Sequence, residues 1–179
     1  MDLFIYNPTY QVWICTARRC QYAVSPQTLL THLRVRHRWH ATVATVAQRD
    51  TALAEMLKRP WIDPAKQPCI TPSPADPPIS GLPVHQGYGC PHCAYVALHH
   101  KSVQKHRSTN HRDIETPRRP GGQRRTGSHH LTNRLVFCQR LFPTKTGSHY
   151  FEVTPPQSPA GALSQGEAQQ MTAAEFTQV

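Results

Sequence analysis

The apolar positions of this 179-residue chain fall into short, separated groups rather than one sustained periodic pattern. Val12-Trp13-Ile14 is a brief apolar stretch. From Thr42 to Lys58, Val43, Val46, Leu53, Met56 and Leu57 recur at roughly helical spacing, with Arg49, Asp50 and Glu55 between them. That spacing predicts an amphipathic helix over 42–58, ended by Pro60. Leu135 to Phe142 and Ser148 to Val153 are two β-favouring runs around Pro143-Thr144-Lys145-Thr146-Gly147, which predicts a hairpin over 135–153. A lone hairpin is marginal in water, so it is expected to pack on a neighbour.

Between these groups the pattern lapses. Residues 59–86 hold eight prolines and read as an extended linker without the means to build a core. From Thr154 the chain is polar and rich in Pro, Gln and Ala, which predicts a disordered tail over 154–179.

Composition sharpens this picture. Only 38% of residues are hydrophobic and 17 are proline, which argues against a single large core. Modules this small need a metal or disulfides to offset chain entropy. The start, Met1 to Pro8, has neither the basic nor the apolar region of a signal peptide, and no apolar run is long enough to span a bilayer. The expectation is an intracellular chain with no membrane partner, in which reduced, clustered cysteines read as metal ligands. Cys69 and Cys138 have no partner at ligand spacing and read as buried structural thiols.

The other four cysteines do have such partners. Cys15-x4-Cys20-x11-His32-x4-His37 and Cys90-x2-Cys93-x12-His106-x4-His111 each supply two thiolates from a turn and two imidazoles from one helix face. These spacings predict two zinc ions held by two Cys2His2 ββα modules, the first with a gap one residue shorter than usual. The modules fall within residues 1–58 (with the extra helix) and 87–116. Val24 and Leu29, and Ala97 and Val103, sit where such modules place core residues. Ser25-Pro26 reads as the cap and first residue of the first helix. Tyr22 and Tyr95, at matching positions after the second cysteines, read as core or rim packing. The fold class is therefore small α+β, with the two modules, an extra helix and a C-terminal hairpin.

Four protein ligands close the coordination sphere, and no hydrolase or phosphate-loop motif is present, so no enzyme and no small-molecule substrate is expected. His92, inside the second cysteine turn, reads as an exposed turn residue.

Charge points to a partner. The chain carries a formal +10, and the stretch from Lys101 to Lys145 holds eleven basic residues against Asp113 and Glu115. A polyanion such as nucleic acid is the simplest partner, engaged through phosphates without sequence preference, in the nucleus. Positions that face bases in DNA-reading fingers are Ser25, Thr28 and Thr31 in the first module, an uncharged and uninformative set, and His99, Ser102 and Lys105 in the second, which suit phosphate or base contact. Arg118, Arg119, Arg124 and Arg125, in a basic linker over 117–134, are the further candidates. The 52 residues between His37 and Cys90 do not suit fingers that track one groove in series. The alternatives are a zinc-stapled protein-interaction module using helix 42–58 and the hairpin, or a mobile-element-derived fragment without an activity of its own.

The order of motifs adds a resemblance. Cys20-Gln21-Tyr22-Ala23-Val24, Ile79-Ser80-Gly81-Leu82-Pro83-Val84, Gly87-Tyr88-Gly89-Cys90, Val136 to Phe142 and Tyr150-Phe151-Glu152-Val153 resemble the fungal family named after protein D of the orsellinic acid biosynthesis cluster. The resemblance implies two zinc-finger-like clusters in an N-terminal region of a generally longer protein. It implies no enzymatic step, and it makes this chain an N-terminal module or a truncated copy.

Overall fold

A computed structural model describes residues 2–115 and 133–155. Over them the chain is a small α+β fold with the order β1 (Phe4–Asn7), β2 (Val12–Cys15), β3 (Tyr22–Val24), α1 (Leu29–Arg36), α2 (Val46–Met56), β4 (His85–Gly89), β5 (Val96–Ala97), α3 (His100–Asn110), α4 (Arg112–Glu115), β6 (Arg134–Gln139) and β7 (Phe151–Val153). Two antiparallel sheets form, β1-β2-β3 and β5-β4-β6-β7.

Alternation along the strands assigns the faces of the first sheet. Phe4, Cys15 and Val24 pack with Leu29 and Leu33 of α1 and with Val43, Ala52 and Met56 around α2. Val12, Ile14 and Ala23 pack on the opposite side with Ile62, Ile79, Leu82, Leu141, Phe142, Phe151 and Val153. β2 and β3 are thus covered on both faces, whereas β1 buries Phe4 and leaves Ile5 exposed. The Ala23 amide also donates to the Leu141 carbonyl at 2.7 Å, which closes the free edge of β3 with the C-terminal part of the chain.

The second core overturns one expectation. The proline-rich stretch carries no helix and no strand before His85, yet Ile62, Ile79 and Leu82 are core residues. At its C-terminal end one side chain meets the backbone polar groups of Ile79 and Leu82. Gln139, fully buried, accepts from the Ile79 amide at 2.7 Å and donates to the Ile79 and Leu82 carbonyls at 3.1 and 2.9 Å. Gly81 sits at φ +85°, a backbone conformation that favours glycine, and its Cα packs closely under Ile5 and Ile14.

The extra helix is shorter than 42–58. It starts at Thr45, whose side chain accepts from the Gln48 amide while the Gln48 side chain accepts from the Thr45 amide, a reciprocal cap. Val43 is buried ahead of the helix, whereas Val46 and Leu57, expected on its apolar face, are exposed. In α1 the cap is Thr28, not Ser25. Ser25 and Pro26 lie in the preceding turn, where the Ser25 carbonyl accepts from the Thr28 and Leu29 amides at 3.1 and 3.0 Å. The Ser25 hydroxyl meets the Thr28 hydroxyl at 3.0 Å and caps no helical amide.

The hairpin of β6 and β7 is present, and the neighbour it packs on is β4: β6 pairs with β4 over five residues and extends the second module's sheet. That module's own core is minimal, with Cys90, Ala97 and Val103 buried and Tyr88 and Tyr95 against them. Gly87 lets β4 approach closely, since a Cβ there would meet Cys138 Sγ at 2.9 Å and the Ala97 carbonyl oxygen at 3.0 Å. Cys138 is buried as expected. Cys69 is only half-buried, packed at the edge of the larger core. The expected basic linker, apart from Asn133 and Arg134, and the expected tail beyond Pro155 lie outside the described residues.

Candidate metal centres

Each module delivers its four ligands in the way the spacing requires. In the first, Cys15 ends β2, a turn closed by the Cys20 amide donating to the Ala17 carbonyl at 2.7 Å brings Cys20 back, and α1 presents His32 and then His37 just past its end. Positive φ at Gln21 (51°) redirects the chain from the turn into β3. In the second, Cys90 follows β4, the Cys90 amide donates to the Tyr95 carbonyl at 2.8 Å, and α3 carries His106 with His111 as its C-cap.

The donor atoms converge. Within each set of four, one ligand atom from every residue lies within 4.8 Å of the others. In the first set His37 Nε2 is 3.3 Å from Cys15 Sγ, 3.5 Å from Cys20 Sγ and 3.2 Å from His32 Nε2. In the second, Cys93 Sγ is 3.1 Å from His106 Nε2 and 3.4 Å from His111 Nε2. A tetrahedron with metal–sulfur bonds of about 2.3 Å and metal–nitrogen bonds of about 2.05 Å has S···N edges of about 3.5 Å and N···N edges of about 3.3 Å. Both sets therefore fit a four-coordinate S2N2 metal.

Groups behind the ligands orient them. The Tyr22 hydroxyl lies 3.0 Å from His32 Nδ1, which leaves Nε2 turned toward the cysteines. Tyr95 stacks on His106, with ring centroids 4.0 Å apart and planes within 11°. Asn110 places its side-chain amide 3.0 Å from His106 Nδ1. His92, expected as an exposed turn residue, is half-buried with its ring 5.2 Å from that of His111, and its amide donates to Cys90 Sγ at 3.5 Å. The two tyrosines, expected as packing residues, thus also hold ligand rings. Their repeated place after the second cysteine was the visible signal.

Burial sets the protonation of the ligands. It pushes the Cys15 thiol up to about 12, with the adjacent Cys20 adding to the shift, and it raises Cys93 as well. It lowers His32 to about 4, helped by His37 and Arg36, and lowers His37 and His106. At neutral pH the metal-free ligands Cys15 and His32 are thus neutral, and a bound cation must displace the Cys15 proton. Affinity at the first site is expected to rise about tenfold per pH unit for that proton through the neutral range. His32 acts in the same direction on stability: its value in the unfolded chain, near 6.5, exceeds the folded one, so its contribution is complete above pH 6.5 and is lost as pH falls toward 4. Competition with a chromophoric chelator across pH 5–8 measures this, and affinity independent of pH would contradict it.

The positions considered for nucleic-acid contact lie in separate places among the described residues. Ser25 is buried, and Thr28 and Thr31 line a groove of about 430 Å³ walled by Asp63, Pro64 and Ala65 and by Phe142 to Thr146. His99 and Ser102 line a shallow cavity of about 600 Å³ closed on one side by Ser148, His149 and Tyr150. Lys105 is exposed on α3. Arg118, Arg119, Arg124 and Arg125 lie outside the described residues. Among the described residues, no helix is long and apolar enough to cross a membrane.

Comparison with known proteins agrees with this arrangement. The family model described as Orsellinic acid/F9775 biosynthesis cluster protein D matches residues 2–112, a span that includes both ligand sets. A protein of the same description from Emericella nidulans (strain FGSC A4) is 32% identical over 108 residues, which cover 59% of this chain and 20% of the relative. The chain thus spans about a fifth of the curated relative it matches. No solved structure matches the chain. With the family model covering well over half of its length and both Cys/His clusters, the chain belongs to the Orsellinic acid/F9775 biosynthesis cluster protein D family.

Proposed function

We propose that the chain is a zinc-stapled C2H2-like protein of the nucleus, with structural metal, no catalytic site, and an association with nucleic acid driven by charge. The observation that carries the metal half is the pair of S2N2 donor sets with edges close to those of a zinc tetrahedron. Zinc is the ion that two thiolates and two imidazoles in a tetrahedron favour. With all four positions taken by protein atoms, no site is left for an activated water, which supports a structural role.

The nucleic-acid half rests on the net +10 and its concentration between Lys101 and Lys145. Phosphate contacts release counterions, so binding to a random-sequence duplex is expected to weaken steeply between 50 and 200 mM salt. Changing Arg118, Arg119, Arg124 and Arg125 to glutamate removes up to four such contacts and should flatten the slope of log K against log salt by roughly 3 to 4. A duplex affinity indifferent to salt would overturn this half.

A second reading, a protein-interaction module, is favoured by Val46 and Leu57 on α2 and Leu135 on β6, which are 66%, 55% and 77% exposed. The same four-arginine variant separates the two, since it would leave capture of a protein partner unchanged.

A further inference from the structure

The first module carries a second cluster of cations, outside the stretch on which the charge argument above was built. From Leu3 to Arg49 the chain contains no acidic residue, while Arg18, Arg19, Arg34, Arg36 and Arg38 all lie within it. The metal ligands gather them. Arg18 and Arg19 occupy the turn between Cys15 and Cys20, and Arg36 and Arg38 flank His37, whose Nε2 is 3.3 and 3.5 Å from those two sulfurs. All five arginines are exposed, and among the described residues no carboxylate pairs with any of them.

Trp39 stands beside this cluster with 83% of its surface exposed. The other two tryptophans are half-buried and donate their indole N–H groups, Trp13 to Met56 O at 3.2 Å and Trp61 to Val24 O at 3.0 Å. Trp39 makes no such bond among the described residues. The Arg38 guanidinium lies over its ring, 4.6 Å from the centroid, which covers one face and leaves the other open. Folding gains nothing from so exposed an indole, so burial does not explain it.

We propose that Trp39 and the arginines around the first ligand set form a platform for single-stranded nucleic acid, with a base stacked on the open face of the indole and phosphates met by Arg18, Arg19 and Arg36. Base–aromatic stacking within a cationic surface is the general chemistry of single-strand binding. A duplex fits this region less well on two counts. The helix face that would enter a major groove is buried at Ser25, and the exposed Thr28 and Thr31 line a groove faced by Phe142 to Thr146. An indole projecting past the end of α1 also finds no open base in a paired, stacked duplex. A lipid surface would need a continuous apolar patch, whereas the chain neighbours of Trp39 are Arg36, His37, Arg38 and His40.

This inference rests on the nucleic-acid reading, and the test keeps the two apart. Full-length, metal-loaded protein is titrated with fluorescein-labelled oligothymidylate, with a random-sequence duplex, and with phosphatidylserine vesicles, while anisotropy and tryptophan emission are followed. The expected result is tighter binding to oligothymidylate than to the duplex, with quenching of emission. Trp39→Ala should weaken the single-strand complex about tenfold or more and abolish the quenching, with duplex affinity unchanged. Trp39→Phe should recover part of the loss. Unchanged metal content and circular dichroism would show that the variant folds, as expected for so exposed a residue. Equal oligothymidylate binding by Trp39→Ala and the parent would overturn the platform and leave salt-dependent duplex binding standing. Emission shifts with vesicles but not with oligothymidylate would also overturn it. Binding to neither nucleic acid would overturn both readings together.

Discussion

Chelation of the zinc-loaded protein is expected to unfold the second module outright and the first only in part. Folding energy from a structural zinc is on the order of 10 kcal/mol, far more than a minimal core supplies. Around the second ligand set that core is Cys90, Ala97 and Val103 with two tyrosines, too little to hold α3 once its ligands are released. The first set is embedded differently, because its sheet is buried against α1 and α2 on one side and against the proline-rich stretch and the hairpin on the other. Accessibility acts in the same direction, with Cys93 exposed and Cys15 and His32 buried. Elemental analysis should find two zinc ions per chain, and one in Cys93→Ser. Hydrogen exchange after chelation should show protection lost throughout residues 100–110 while part of it persists in 12–15 and 22–24. A folded, metal-free protein with α3 still protected would refute the prediction.

The second large effect is expected at Gln139. Its three hydrogen bonds are the side-chain contacts that satisfy the buried backbone of Ile79 and Leu82. Gln139→Leu keeps approximate volume and removes all three, stranding the Ile79 amide and the Leu82 carbonyl where water does not reach, while the Ile79 carbonyl keeps the Leu82 amide at 3.3 Å. At about 1–3 kcal/mol for each of the two buried groups left without a partner, a loss of about 2–4 kcal/mol is expected after partial relaxation. Urea unfolding of the zinc-saturated protein measures it. A loss below about 1 kcal/mol would mean that the proline-rich stretch contributes little to the fold. Metal content should be unchanged, because Gln139 touches neither ligand set.

What could be read from the sequence divides by the range of the cause. Both ligand sets were legible because tetrahedral coordination imposes spacings within some twenty residues, and the helix faces of His32/His37 and His106/His111 follow from local geometry. The hairpin was legible for the same reason. The ends of α2 were misplaced although their signal was present: Thr45 and Gln48 form a capping box that the apolar spacing of Val43 and Val46 obscured. The core role of Ile62, Ile79 and Leu82 was not legible. Three isolated apolar residues among prolines have no periodicity, and what buries them comes from Gln139, Leu141 and Phe151, about 60 to 90 positions later. The groove that the hairpin turn forms beside the exposed Thr28 and Thr31 is also long-range, and no finger template contains it.

The hydrogen bond from Ala23 to Leu141 sets a timetable for the newborn chain. The first module has its ligands, its helix and one covered face once about 60 residues are made, yet the cover over Val12, Ile14 and Ala23 is completed only when the segment through Val153 is available. At roughly 5–20 residues per second, that is a delay on the order of ten seconds during synthesis. Throughout it, the edge of β3 and part of an apolar sheet face are open to other chains. Early metal capture would hold this half-built sheet in register while it waits, so zinc supply during translation is expected to govern yield as well as final stability.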